Sequence, residues 1–246
     1  MFSTVFLISA LLALIMLTLI LVAIRGVSAP RSMLFGPVVF RGAHGHGRNV
    51  ALSFDDGPDP EWTGQILDIL QAHRVPAAFF VIGRYADTHQ DLIARIHAEG
   101  HVIGNHSYDH DHLGTFRYTR YWEHELARTD EAIHRAIGLR PGLVRPPMGL
   151  RNPLMMKTFR RGGYTTVTWS CRGLDGVKTT AGRIVSRLSD RIQAGSIIAL
   201  HDGTDPFGQR NPQSTIDALP QIIANVRSQG LEFIRLDELI DADPYR

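Results

Sequence analysis

From Val50 onward the chain switches repeatedly between two hydrophobic rhythms. Short apolar or alternating runs read as strands, and stretches with apolar positions three and four apart read as helices. Strands are expected at Val50–Phe54, Ala77–Ile82, His101–Gly104, Leu143-Val144, Tyr164–Trp169, Ser196–Leu200 and Glu232–Ile234. Helices are expected at Pro60–His73, Leu92–Ala98, Thr119–Ile137, Pro153–Arg161, Thr180–Ala194, Ile216–Ser228 and Leu236–Ile240. Pro60 and Pro153 suit a first helical turn, and Gly100 suits a helix stop. Regular alternation of this kind means parallel strands joined by crossover helices. Six or seven such units point to an α/β fold of the incomplete (β/α) barrel type, more than to an open sheet.

The first thirty residues follow neither rhythm. Val5 to Ile24 carries no charge and only Ser9 and Thr18 as polar side chains. A helix of that length, at about 1.5 Å per residue, crosses a hydrocarbon core of roughly 30 Å. A cleaved signal peptide is the competing reading, because Val27-Ser28-Ala29 resembles a small-residue cleavage site. The length of the run, the lack of a preceding Lys or Arg and the position of Pro30 favour a retained anchor. The expected organisation is therefore a membrane anchor over 1–29, a linker over 30–48 and one folded domain over 49–246. Arg25 and Arg31 follow the span and would keep the domain cytoplasmic by the positive-inside rule. In the linker, Pro37–Phe40 is a short apolar piece, and His44 and His46 are expected to be solvent-exposed loop residues.

Composition narrows the function classes. At 246 residues the chain suits one domain, and an apolar content of 44% is ample for a core. The net charge is +2 and the basic residues, nearly all Arg, are scattered, so there is no footprint for nucleic acid. The single cysteine, Cys171, excludes an intramolecular disulfide.

The polar residues of interest collect at the C-terminal ends of the expected strands, the face where barrel enzymes place their chemistry. The first strand runs into Asp55 and Asp56. Neighbouring side chains on a strand point to opposite faces, so both carboxylates can serve one site only if the chain breaks there, which Gly57-Pro58 enforces. After the third strand, His106 and His110 have the spacing that lets two imidazoles meet on one side of a helical turn and bind one metal, zinc or a late first-row neighbour. Asp109 and His112 are less specific. After Leu143-Val144, Pro146 and Pro147 stiffen the loop behind Arg145, whose guanidinium suits a bidentate pair with a carboxylate. His201 closes an apolar strand and is a candidate general acid, with Asp175 or Asp202 to orient its ring.

Taken in order, Phe54-Asp55-Asp56-Gly57-Pro58, His106-Ser107-x-x-His110, Arg145-Pro146-Pro147-x-Gly149 and Leu200-His201-Asp202 resemble the NodB-homology polysaccharide deacetylases, carbohydrate esterase family 4. The resemblance spans about Asn49 to Ile240. It implies a distorted (β/α) barrel that removes N-acetyl groups from amino-sugar polymers or oligomers with one divalent metal ion, zinc first and cobalt or nickel as alternatives. By position, Asp56, His106 and His110 resemble the metal ligands, Asp55 the base and Arg145 the residue that holds it. His201 resembles the acid and Asp175 the carboxylate that tunes it. The Met148 backbone N–H is expected to face the oxyanion, with Trp169 and Leu200 lining the substrate site. Three positions depart from the family's pattern. Met148 stands where an aromatic is usual, Arg172 and Gly176 replace an Asp and a Trp of the fourth motif, and Ala199 replaces a Leu. The last two changes imply a wider acyl pocket and relaxed acyl specificity.

The expected activity is hydrolysis of N-acyl groups on an amino-sugar glycan of the cell envelope. Deacylation of a lipid-linked sugar is the alternative within the same chemistry, and an inactive carbohydrate-binding homologue the alternative of another class. The family's envelope substrates place the domain on the periplasmic or extracellular side of a single-pass membrane protein, against the Arg25/Arg31 vote. Nothing in the sequence bears on oligomeric state.

Overall fold

In the computed structural model, which describes residues 2–42, 47–204 and 212–246, each expected strand becomes one rib of a curled parallel sheet. His44 and His46 lie outside the described residues. The strands are β1 (Asn49–Asp55), β2 (Ala77–Val81), β3 (Val102–Asn105), β4 (Leu143–Val144), β5 (Thr165–Thr166), β6 (Cys171–Arg172), β7 (Ile197–His201) and β8 (Glu232–Phe233). Their order is β5-β4-β3-β2-β1-β7-β6, with β8 beside the start of β1, and every pairing is parallel. This is a half-barrel, open between β5 and β6.

The alternation along the strands sorts their side chains into two layers. Val50, Leu52 and Phe54 of β1, with Phe79, Val81, Ile198 and Leu200, pack outward against α2 (Thr63–His73), α4 (Gln90–Ala98), α7 (Ala181–Ser189) and α8 (Gln213–Ser228). Ala51, Ala78, Phe80, Val102 and Ile197 fill the concave side, closed below by Leu236, Leu239 and Ile240 of α9 (Leu236–Ile240). Asp55 has the parity of Ala51 and therefore belongs to the concave side.

Helices α5 (Thr119–Ile137) and α6 (Pro153–Arg161) have the expected bounds. The Asn152 side chain caps α6 by accepting the Met155 N–H at 2.7 Å, with Pro153 at the first helical position. Helix α3 (Gly83–Thr88) and strand β6 were not expected, and α7 stops short of Ala194. The stretch expected as a linker is partly built into the sheet. Val39 pairs with Val167 just past β5, bonded to Thr166 and Thr168, and Arg41 pairs with Ser196 just before β7, so the apolar piece spans the open side of the half-barrel.

α1 (Phe2–Ser28) projects from this body. Over Thr4–Ser28 it is long and apolar enough to cross a membrane, and none of its apolar window is buried against the protein.

Candidate active site

The C-terminal ends of β1, β3, β4 and β7 converge on one cleft of about 280 Å³, bounded by Asp55, Asp56, His110, Met148, Trp169 and His201. Both carboxylates of the first strand end reach it, for different reasons. Asp55 is the last inward residue of β1. Asp56 adopts a left-handed backbone (φ 76°), which turns its side chain back to the same side. Asp202 holds this turn. Its Oδ1 accepts the Gly57 N–H at 3.1 Å and its Oδ2 the Thr63 hydroxyl at 2.7 Å. A side chain at Gly57 would collide with that carboxylate. Burial, with the charges of Asp56 and Asp55 adding to it, pushes Asp202 up to about 7.

Asp56 Oδ1 lies 3.4 Å from His106 Nε2 and 3.3 Å from His110 Nε2, and all three residues are buried. His106 Nδ1 is 2.7 Å from the Arg145 carbonyl oxygen, which can only accept. That bond makes Nδ1 the protonated nitrogen and leaves Nε2 as the electron-pair donor towards Asp56. The fit to a metal ion can be tested on these distances. Bonds of about 2.1 Å at tetrahedral angles separate donor atoms by about 3.4 Å. The two carboxylate-to-imidazole separations of 3.3 and 3.4 Å therefore suit a group of donors that could hold one metal ion.

The histidine pair is not on a helical turn, as its spacing had implied. Residues 106–110 form a loop in which Ser107 (φ 66°) and His110 (φ 50°) are left-handed. The loop is shaped from behind. Asn105 Oδ1 accepts the Ser107 N–H at 2.9 Å, and Ser107 Oγ accepts the His110 N–H at 3.1 Å. Asn105 is itself held by Asp130 of α5, which accepts its Nδ2 at 2.9 Å.

Arg145 is fully buried, with its guanidinium 4.0 Å from the Phe80 ring centroid. Nη1 donates to Asp55 Oδ1 at 2.6 Å and Nη2 to the Thr168 carbonyl at 3.1 Å. The expected bidentate pair is therefore split between a carboxylate and a carbonyl. Burial pushes the guanidinium pKa down, and Asp55 opposes that.

His201 meets Asp175 twice. Nδ1 is 2.9 Å from Asp175 Oδ1, and the His201 backbone N–H donates to Oδ2 at 2.9 Å. The Thr215 hydroxyl adds a third bond to Oδ2 at 2.8 Å. Asp175, not Asp202, is thus the carboxylate that orients the ring. Trp169 and Met148 border the cleft, as do Gly176 and Ala199. Leu200 does not. Strand alternation turns Ala199 and His201 inward and Leu200 outward into the helix-facing core, which corrects its expected place in the substrate site.

Sequence reasoning missed Thr63, Asn105, Asp130 and Thr215. Thr63 and Thr215 lie far along the chain from their partners, Asn105 takes its orientation from Asp130 twenty-five residues away, and none of these residue types carries a signal by itself.

A sequence profile described as polysaccharide deacetylase matches residues 42–167. The chain is 36% identical over 199 residues to a peptidoglycan-N-acetylglucosamine deacetylase of Bacillus cereus, covering 80% of this chain and 70% of that protein. It is 35% identical over 214 residues to a chitooligosaccharide deacetylase of Rhizobium leguminosarum bv. trifolii, covering 85% of this chain and 99% of that one. Among solved structures, the Bc1960 peptidoglycan N-acetylglucosamine deacetylase superposes with a TM-score of 0.79 at 32% identity, covering 85% of this chain and 95% of that one. The chain belongs to the polysaccharide deacetylase family, enzymes that hydrolyse the amide bond of N-acetylated sugars.

Proposed function

We propose that this protein is a metal-dependent N-deacylase of an amino-sugar glycan of the cell envelope, working on the outer side of the membrane that α1 anchors it to. The observation that carries the reading is the meeting of three functional groups at one cleft: the Asp56–His106–His110 triad, the Asp55–Arg145 pair and the His201–Asp175 pair.

Asp56, His106 and His110 would hold a divalent cation, zinc or alternatively cobalt or nickel, which would supply Lewis acidity at the amide carbonyl and lower the pKa of a neighbouring water. Asp55 takes a proton from the attacking water as the water oxygen adds to the carbonyl carbon. Arg145 fixes the Asp55 carboxylate, so no side-chain reorientation is needed at that moment. The Met148 N–H, at the rim of the cleft, faces the developing oxyanion. His201 then gives its Nε2 proton to the nitrogen as the C–N bond breaks, while its Nδ1–H stays with Asp175. The products are a free amine on the sugar and a carboxylic acid. Gly176 and Ala199 in the cleft wall support an acyl site wider than acetyl alone requires.

The test is amine release from N-acetylglucosamine oligomers and peptidoglycan by the full chain, with metal analysis. Amine and acetate are expected in equal amounts, lost on chelation and restored by zinc. A metal-replete protein that releases no amine from any N-acylated sugar overturns the reading in favour of a silent binding role.

A further inference from the structure

Arg151 is a guanidinium that the proposed chemistry does not use, yet it is 1% exposed. Its partners are backbone carbonyls at the end of α1. Nη2 donates to the Ala29 carbonyl and Nη1 to the Pro30 carbonyl at 3.4 Å, while its own N–H donates to the Val27 carbonyl at 3.0 Å. The last carbonyls of a helix lack partners within the helix and carry its negative dipole end, so a cation is favoured there. A second clasp lies alongside. The Thr168 hydroxyl donates to the Pro30 carbonyl at 2.8 Å, and Arg31 reaches the Ser170 carbonyl at 3.3 Å. The chain then folds back on the helix, where a side chain at Gly26 would overlap Leu34, and Phe35 enters the core around Trp122 and Phe159.

These contacts join the end of α1 to the catalytic machinery in three steps. Pro30 holds the Thr168 hydroxyl, the Thr168 carbonyl holds Arg145, and Arg145 holds Asp55. Met148 and Trp169, which border the cleft, are three residues from Arg151 and one from Thr168 and Ser170. Three residues of chain span at most about 10 Å. The headgroup layer on one side of a bilayer is of similar depth, roughly 5–8 Å. No slack separates Ser28 from the first clasp at Ala29, so a domain held this way cannot lift away from the bilayer. Exposed apolar side chains lie beside the same clamp. Met33 and Leu34 follow α1, Leu154 follows Asn152, and Phe116, 83% exposed, follows Thr115, whose carbonyl accepts from Asn152. Arg25 and Arg31 flank the helix end with positive charge suited to lipid phosphates.

We propose that the carboxyl end of α1 is a fixed part of the active-site rim, clamped by Arg151 and Thr168, so that the cleft rests at the membrane surface and takes an N-acylated amino sugar carried on a membrane lipid. This rests on the deacylase reading above and names its substrate class. With the domain held down, soluble oligomers and detached glycan fragments still reach the cleft by diffusion, whereas an intact polymer standing off from the membrane would need a tethered domain.

The test compares one sugar in two presentations. The full chain in lipid nanodiscs is given N-acetylglucosamine linked through pyrophosphate to a polyprenol in the same discs, and separately a water-soluble N-acetylglucosamine oligomer. A preference in kcat/KM of at least tenfold for the lipid-linked sugar is expected. Inserting twenty Gly/Ser residues between Ser28 and Ala29 keeps the Ala29 and Pro30 contacts, gives up the Val27 one, and frees the domain by about 25 Å. That insertion is expected to abolish the preference while soluble-oligomer turnover stays within twofold. Equal turnover of both presentations by the uninserted chain, or a preference that survives the insertion, overturns this inference and leaves the deacylase reading standing. Hydrolysis of neither sugar overturns both. Intact mass of the membrane-extracted protein gives an independent readout. Retention of residues 2–28 is expected, and a mature chain beginning near Pro30 overturns the inference.

Discussion

His101 and His106 flank the same four-residue strand, β3, and both are buried, yet they sit in opposite environments. At the C-terminal end, His106 is turned by a carbonyl on Nδ1 so that Nε2 faces Asp56, and a second imidazole faces the same oxygen. At the N-terminal end, His101 Nδ1 accepts the Ala77 N–H at 3.2 Å, and its ring lies 5.5 Å from the Phe79 ring. Its nearest carboxylate oxygen, on Glu99, is 4.0 Å from Nε2. Burial first of all, with the charges of Arg235 and Arg95 working against Glu99, holds His101 down at about 4. The upper histidine shares the Asp56 oxygen with a second imidazole beside the cleft that holds Asp55 and His201, whereas His101 and Glu99 border a separate groove at the other end of the strand. Two buried histidines on one strand thus differ in what surrounds each end of it, not in residue type or burial.

The sharpest way to break that contrast is to remove charge at the upper end. Asp56→Asn is expected to lose the metal and, with it, measurable amine release. Asp55→Asn and His201→Ala are each expected to lower kcat/KM by about 10²–10⁴, the usual contribution of a proton-transfer group, with metal content unchanged. Metal analysis of the purified variants checks the division. Equal metal loss in Asp55→Asn and Asp56→Asn would falsify the separate roles of the two carboxylates.

Much of this contrast is legible in the sequence. The strand ends carrying Asp55-Asp56, His106, Arg145 and His201 were readable because apolar runs locate strands, and parallel strands bring their C-terminal ends together. The parity of β7 was equally readable: Leu200 cannot share a face with His201, and placing it in the cleft neglected that. What stayed hidden depended on distant partners. The left-handed turns at Ser107 and His110 are set by Asn105 and, behind it, Asp130, so His-x-x-x-His spacing alone suggested a helical turn instead. β6 is two residues long and exists through its pairing with Ile198 and Ala199. The Val38–Gly42 piece gains its place from β5 and β7. No local pattern could announce Arg151, whose partners lie more than a hundred residues away.

Smaller effects sharpen the upper end further. Asp175→Asn removes the anionic acceptor of the His201 ring. A hydrogen bond to a charged group is worth about 1.5–3 kcal/mol, so kcat is expected to fall about 10–10²-fold. KM and metal content should hardly change, which steady-state kinetics on one soluble oligomer will separate. A fall carried entirely by KM would mean that Asp175 shapes the pocket and not the acid. The acyl wall is a milder lever. Discrimination of one methylene in an apolar pocket is worth about 10–200-fold. The wild type is expected to turn over N-propionyl and N-acetyl sugars comparably, and Ala199→Leu to depress propionyl relative to acetyl by about tenfold. A wild type already selective for acetyl, unchanged by Ala199→Leu, removes the case for a widened acyl site.

The lower end offers the smallest effect on chemistry and a clean one on stability. The folded pKa of His101, about 4, lies below its unfolded value of about 6.5. On acidification the unfolded chain therefore binds this proton first. The stability tied to the neutral ring is complete above pH 6.5 and is lost as pH falls from there through 4. At pH 5 the loss from this one group is on the order of 2 kcal/mol. His101→Gln keeps an acceptor for the Ala77 N–H and removes the titration, so its denaturation midpoint should decline less between pH 7 and pH 5 than that of the wild type. Amine release per folded molecule at pH 7 should be unchanged, because the ring is separated from the cleft by the length of β3. If His101→Gln instead lowered kcat tenfold with its stability profile unaltered, the two ends of the strand would not be the independent regions their surroundings describe.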